Sequence, residues 1–100
     1  MTDFATACQQ LQSAGRFLLE NGLTWGNAGN LSLRLGAERY IITASGTQLG
    51  NLGEDDLVEC SLTGALPPGP RKPSKETPMH AAVYAQRPEI NAVCHAHPPH

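Results

Sequence analysis

Two histidines near the end of this 100-residue sequence, His95 and His97, are the residues whose type and spacing most directly suggest chemistry. They follow the largely apolar run 91–94. In a strand, residues two apart point to the same side, which would hold the two imidazoles together, about 6 to 7 Å apart at the backbone. That is a metal-ligand spacing. A catalytic zinc usually takes three protein ligands and keeps a fourth position for water or substrate. The third ligand must therefore come from elsewhere in the fold, from another subunit, or from chain beyond His100, and an incomplete sequence is the expected explanation. Taken alone, the pair reads equally well as two exposed histidines on an edge strand. Cys94 alternates with His95 and should face away from any metal.

Glu76 shifts that balance. It stands on the element just before the histidines, and a carboxylate base beside a Lewis acid is what carbonyl chemistry needs. The plain alternative is a helix-start glutamate stabilised by the helix dipole. Asn30, Ser45, Gly46, Ser74 and Lys75 occupy loop or strand-end positions. As a set they could form a phosphate cradle of hydroxyl, amide and ammonium donors; singly, each is ordinary turn chemistry. His80 and His100 read as structural or supporting residues, because their spacing does not place them with His95 and His97. Arg34 and Arg39 read as solvated strand residues.

The elements that must position these groups follow from the apolar pattern. Asp3 can cap a helix over about 3–21, with Phe4, Ala7, Cys8, Leu11, Ala14, Gly15 and Leu18 on one face and Gly22 ending it. Phe17 and Leu19 widen that face, so the helix should pack on a sheet. The segment 25–30 is rich in glycine and asparagine, a turn composition. Leu31 to Leu35 alternates apolar and polar residues as a half-buried strand does, and a turn at 36–38 returns the chain through Arg39–Thr43 as a hairpin. A short strand is expected at about 57–61, then a loop over 63–74 holding four of the eight prolines. A helix follows over 75–86, with Ser74 as cap, Pro78 in its first turn and Arg87-Pro88 as its end. Glu76, His80 and Tyr84 lie four apart on its surface and share one face. The histidine strand comes next and stops at Pro98-Pro99.

Composition narrows the classes. A formal charge of -2 and a pI near 6.0 give no basic stripe, so neither nucleic acid nor an anionic membrane is the expected partner, and a small molecule is. There is no signal-peptide pattern and no apolar run long enough to span a bilayer, which makes a soluble, unexported, cytoplasmic protein the expectation. Three cysteines without CxxC spacing argue against a disulfide framework and a thiolate zinc site, leaving buried reduced thiols as the expected state. The length suggests one domain with a thin core.

Four motifs in order, Gly29-Asn30-Leu31-Ser32-Leu33-Arg34, Ile42-Thr43-Ala44-Ser45-Gly46, Pro73-Ser74-Lys75-Glu76, and Ala92-Val93-Cys94-His95-Ala96-His97 preceded by Arg87-Pro88, make the sequence resemble the class II aldolase and adducin head family over about residues 4–100. The resemblance implies a three-layer α/β/α sandwich around a largely antiparallel sheet, here truncated, in a homotetramer with active sites at subunit interfaces. It implies one zinc per subunit on His95 and His97, the third histidine ligand lying beyond this chain. It also implies Glu76 as acid/base, and Asn30, Ser45, Gly46 and Ser74 around the phosphate of a sugar phosphate. Lys75 departs from the second serine of the sugar-phosphate aldolases, adding a charge to the phosphate site or marking another acidic substrate. Ala44 replaces a frequent proline.

The function so implied is a zinc lyase, an aldolase or decarboxylase, acting on a phosphorylated or acidic sugar derivative through an enediolate. Epimerase and dehydratase variants of the chemistry stay open. The alternatives are an adducin-like assembly domain without catalysis, against which the joint presence of Glu76, His95 and His97 argues, and an inactive fragment.

Overall fold

The computed structural model describes residues 3–24, 29–63 and 72–96. The chain opens with helix α1, Phe4–Glu20. Asp3 is its N-cap, its side chain accepting from the Thr6 amide at 2.7 Å. The chain leaves the helix through Gly22 at φ +68, where a residue with a Cβ would be strained. Ala7, Cys8, Leu11, Gly15 and Leu18 form the buried stripe. Phe4, Ala14, Phe17 and Leu19 do not join it and stand exposed. Helix α1 still packs on the sheet, by a narrower face than the sequence suggests.

Strands β1 (Asn30–Arg34), β2 (Arg39–Thr43) and β3 (Leu57–Ser61) follow, then helix α2 (Thr77–Gln86) and strand β4 (Ala92–His95). The sheet order is β3-β2-β1-β4, and every neighbouring pair is antiparallel. The hairpin stands within one residue of its expected position, and the third strand stands where it is expected. Between β2 and β3 the glycine-rich, acidic stretch forms two short 3-10 turns, Leu49–Asn51 and Glu54–Asp56.

Each face of the sheet carries its own core. On one, α1 packs through Ala7, Cys8, Leu11 and Leu18 onto Leu31, Leu35, Ile41 and Leu57, together with Leu49 and Leu52 of the intervening turns. On the other, Tyr84 of α2 packs onto Tyr40, Ile42, Val58 and Cys60. The result is the expected three-layer α/β/α sandwich. The close approach of α1 to the first 3-10 turn depends on Gly15, where an added Cβ would lie 1.9 Å from the Leu49 carbonyl oxygen.

Three sequence expectations need correction. The polar side of β1 does not face water, because α2 roofs it, and Asn30 and Ser32 are buried. Arg34 is not solvated either. Its guanidinium lies 4.8 Å from the Tyr84 ring centre and donates to the carbonyls of Tyr84, in the last turn of α2, at 3.0 Å and of Ile90, in the connection to β4, at 2.8 Å. Arg39 does stay exposed, paired with Glu59 at 2.8 Å. Cys8 and Cys60 are buried free thiols, whereas Cys94 is exposed, on the strand face opposite His95. Burial pushes both buried thiols above the usual cysteine range, which disfavours the reactive thiolate.

Helix α2 starts at Thr77, two residues later than its predicted start. Residues 75 and 76 form a turn in which the Ser74 hydroxyl accepts from the Glu76 amide at 3.1 Å, and Glu76 takes the cap position. The expected glycine- and asparagine-rich turn falls largely at 25–28, and most of the proline loop at 64–71, outside the described residues.

Candidate active site

The chemistry-bearing residues gather at one end of the sheet. Register places Ser32 opposite Ile42 and Asn30 opposite His95. The start of β1, the end of β2 and the end of β4 are therefore level with one another. An isolated bridge between Ala44 and Pro73 ties the chain before α2 to the same end. Across it the Ser45 amide donates to the Lys72 carbonyl at 2.9 Å and the Ser74 amide to the Thr43 carbonyl at 3.0 Å. Ser45-Gly46 and Ser74-Lys75 are thus brought side by side. Gly46 turns with φ +79, a backbone conformation that glycine accepts readily.

Glu76 follows at the N-terminal end of α2. It is exposed, and its carboxylate makes no capping bond. Helix α2 then runs back over the polar side of β1. His80 lies over Asn30 and Ser32, and Tyr84 over Ser32 and Arg34. The face predicted for Glu76, His80 and Tyr84 is the face α2 turns toward the sheet for its two buried members.

Beneath α2 runs a buried hydrogen-bonded chain. The Tyr84 hydroxyl lies 2.7 Å from Ser32 Oγ, Ser32 Oγ lies 2.6 Å from His80 Nδ1, and His80 Nε2 lies 2.5 Å from Asn30 Oδ1. The other end of the Asn30 amide, Nδ2, is 3.4 Å from Nδ1 of His95. His80 is fully buried, and that burial, reinforced by His95 nearby and opposed by Glu76, lowers its pKa to about 4. The ring is consequently neutral near pH 7. With one ring proton only, His80 donates from Nε2 to the Asn30 oxygen and accepts at Nδ1 from Ser32, so Tyr84 donates to Ser32.

Gly29 fits His95 into place. It holds φ +90, and an added Cβ would lie 2.7 Å from the His95 carbonyl oxygen. His95 is half-buried and aligned with Asn30. His97 and His100 lie outside the described residues. Among the described residues, no three of His, Cys, Asp and Glu come close enough to hold a metal ion together.

The model of the class II aldolase and adducin N-terminal domain matches residues 9–100. The chain belongs to this family. Among the curated relatives of this family member, methylthioribulose-1-phosphate dehydratase of Pseudomonas fluorescens is 44% identical over 90 residues, spanning 89% of the chain and 43% of the relative. The Methylococcus capsulatus protein of the same name is 41% identical over 98 residues, spanning 98% of the chain and 48% of the relative. The chain thus spans about half the length of the curated relatives it matches. Among solved structures, L-fuculose 1-phosphate aldolase superposes with a TM-score of 0.84 at 36% identity, over 94% of this chain and 45% of that one. YgbL of Klebsiella pneumoniae superposes with a TM-score of 0.87 at 34% identity, over 99% and 47%.

Sequence reasoning for this family member gives His80 a structural or supporting place and gives Ser32 no role beyond the alternation of its strand. The available signal was the match between two polar patterns: alternate residues Asn30, Ser32 and Arg34 on a strand, and Glu76, His80 and Tyr84 every fourth residue on a helix.

Proposed function

We propose that this chain is the phosphate-binding and metal-binding half of a zinc lyase that acts on a ketose phosphate. The observation that carries the reading is the convergence of Ser45-Gly46, Ser74-Lys75, Glu76 and His95 at one end of the sheet. Names of relatives support the substrate class, since both the dehydratase and the aldolase are named for sugar 1-phosphates. Assembly into a homotetramer and action in the cytoplasm belong to the same proposal.

The residues fit a zinc ion in this reading. A ligating histidine typically donates its second ring N–H to a partner, and the Asn30 side-chain amide beside Nδ1 of His95 would accept that proton with its oxygen turned to the His95 side. His95 and His97 would hold the metal, with a third ligand from outside these residues. When bound, zinc would stabilise negative charge developing on the substrate's carbonyl oxygen.

The remaining work falls to this chain's own groups. Lys75 supplies a cation and Ser45, Gly46 and Ser74 supply hydroxyl and amide groups to the phosphate, which fixes the sugar's orientation. Asn30 closes the cradle on the His95 side. Glu76, uncommitted to capping, takes a proton from the substrate or returns one to it. Aldol cleavage, decarboxylation and dehydration all require charge to build beside the carbonyl. The same residues therefore serve each of these reactions, and 44% identity to a dehydratase weights the choice toward loss of water.

The test is turnover of methylthioribulose 1-phosphate and fuculose 1-phosphate by the assembled enzyme and by its Glu76→Gln variant. The variant should keep its zinc and lose activity by roughly 10²- to 10⁴-fold. Full activity would remove Glu76 from the mechanism. A metal-free, stable and inactive tetramer would favour an assembly role instead.

A further inference from the structure

We infer that Asn30 couples the ring-proton positions of two histidines that do not touch, so that buried His80 sets whether His95 offers its Nε2 lone pair to a metal. The inference rests on the metal reading above for its purpose, though not for its geometry. His80 is thereby a positioning residue, acting on His95 through the Asn30 side chain.

The argument starts from the asymmetry of an amide. Asn30 presents an oxygen, which only accepts, on one side and an NH2, which only donates, on the other. His80 Nε2 meets one side and His95 Nδ1 the other. With the oxygen toward His80, His80 must carry its proton on Nε2, and His95 Nδ1 must accept. A neutral His95 then carries its proton on Nε2, the nitrogen that projects away from Asn30, and that nitrogen has no lone pair for a metal.

Turning the amide over reverses every one of these roles. The NH2 then donates to His80 Nε2, so His80 carries its proton on Nδ1 and donates it to Ser32 Oγ. The Asn30 oxygen accepts from His95 Nδ1–H, and Nε2 of His95 becomes the lone-pair nitrogen. The two neutral rings are thus matched: both protonated on Nε2, or both on Nδ1. Ser32 can serve either setting, because a hydroxyl both donates and accepts: it donates to His80 and accepts from Tyr84 in the first, and accepts from His80 and donates to the Tyr84 oxygen in the second.

Burial enforces the match. Asn30 is 5% exposed, Ser32 1% and His80 0%, so water cannot readily replace a mismatched partner on the His80 side, and Asn30 meets the half-buried His95 in a part-buried contact. A mismatch would set two donors or two acceptors against each other beneath α2. Every buried side-chain nitrogen and oxygen among the described residues has a hydrogen-bond partner, as such a closed arrangement requires.

The experiment reads ring-proton positions directly, from long-range nitrogen–proton spectra of the 15N-labelled chain at pH 8, without and with zinc. The expected result is that His80 and His95 always match, and that zinc binding brings both to the Nδ1–H form. Zinc-bound His95 with its proton on Nδ1 beside His80 with its proton on Nε2 would overturn the inference. So would a mismatch in the metal-free chain, even if no zinc binds. Zinc that leaves the His95 signals unmoved would overturn the metal reading alone.

Two variants add an affinity measurement by competition with a chromogenic chelator. Asn30→Leu removes the coupling and should weaken zinc binding about tenfold, within the range for removal of a ligand's supporting partner. Asn30→Asp accepts from His95 Nδ1–H without needing His80 to switch, and should bind zinc at least as tightly as the parent. Equal weakening by both, or no effect of Asn30→Leu, would overturn the positioning role.

Discussion

The guanidinium of Arg34 stacks on the ring of Tyr84 at 4.8 Å while donating to the Tyr84 carbonyl at 3.0 Å, so one strand residue holds both the side chain and the backbone of the same helical residue. The planar fork makes this possible, since it can lie over a ring and still aim its N–H groups outward. The contact pins the C-terminal part of α2 against β1. Through Tyr84 and Ser32 it also steadies the buried chain that ends at His95.

Arg34→Lys keeps the charge and loses the fork. We expect a loss of about 2 kcal/mol, because carbonyl acceptors and an aromatic partner are left behind. That should lower the melting temperature by roughly 10 °C for a domain of this size. Arg39→Lys is the control. Its exposed pair with Glu59 should be worth less than about 1 kcal/mol. Equal melting temperatures for the two variants would show that the Arg34 contacts contribute no more than a surface ion pair.

The neutral state of His80 gives stability a pH dependence. Unfolded, the ring titrates near 6.5; folded, burial lowers this to about 4. Between those values the unfolded chain takes up a proton that the folded chain refuses. Stability is therefore complete above about pH 6.5 and falls as the pH drops toward 4, by an amount on the order of 3 kcal/mol. Urea midpoints measured from pH 7.5 to 4.5 should decline across this window, while the His80 ring signals stay those of a neutral imidazole. A flat profile, or a ring that titrates near 6.5 in the folded chain, would contradict the buried network.

Gly15→Ala sets intrinsic preference against packing. Alanine in place of glycine gains about 1 kcal/mol of helix propensity. Here, however, the new Cβ would press on the Leu49 carbonyl oxygen at 1.9 Å, and backbone must move. A net loss of about 1 to 3 kcal/mol is expected. Ser13→Ala on the exposed side of the same helix should change stability by less than about 0.5 kcal/mol. Stabilisation by Gly15→Ala would mean that α1 and the 3-10 turn are not in this close contact.

The sequence made the strands and helices legible because each carries a local pattern: alternation at Leu31–Leu35, four-residue spacing at Glu76, His80 and Tyr84, and a capping aspartate before α1. What it left obscure is which patterns meet. A polar strand face looks the same whether water or a polar helix face covers it, so Arg34 reads as solvated, Ser32 as the polar side of a half-buried strand, and Asn30 as a cradle residue only. Their actual partners lie 48 to 65 residues away along the chain. Helix α2 starts later than the sequence suggests for a local reason, since Ser74 can cap a helix or close a turn and here closes a turn at Glu76. The Ala44–Pro73 bridge, which brings the cradle residues together, spans a proline loop with no periodic signal of its own.

Strand β4 has four residues and, among the described strands, pairs with β1 alone. Local opening of a sheet is easiest where few backbone bonds must break at once. The pairing of Asn30 with His95 is therefore held by the part of the sheet that detaches at least cost. Amide hydrogens of 92–95 should accordingly exchange with solvent sooner than those of β2, which is bonded on both sides. Residence time of β4 on the sheet, more than thermodynamic stability of the whole, would then govern how long the two histidine rings remain in register.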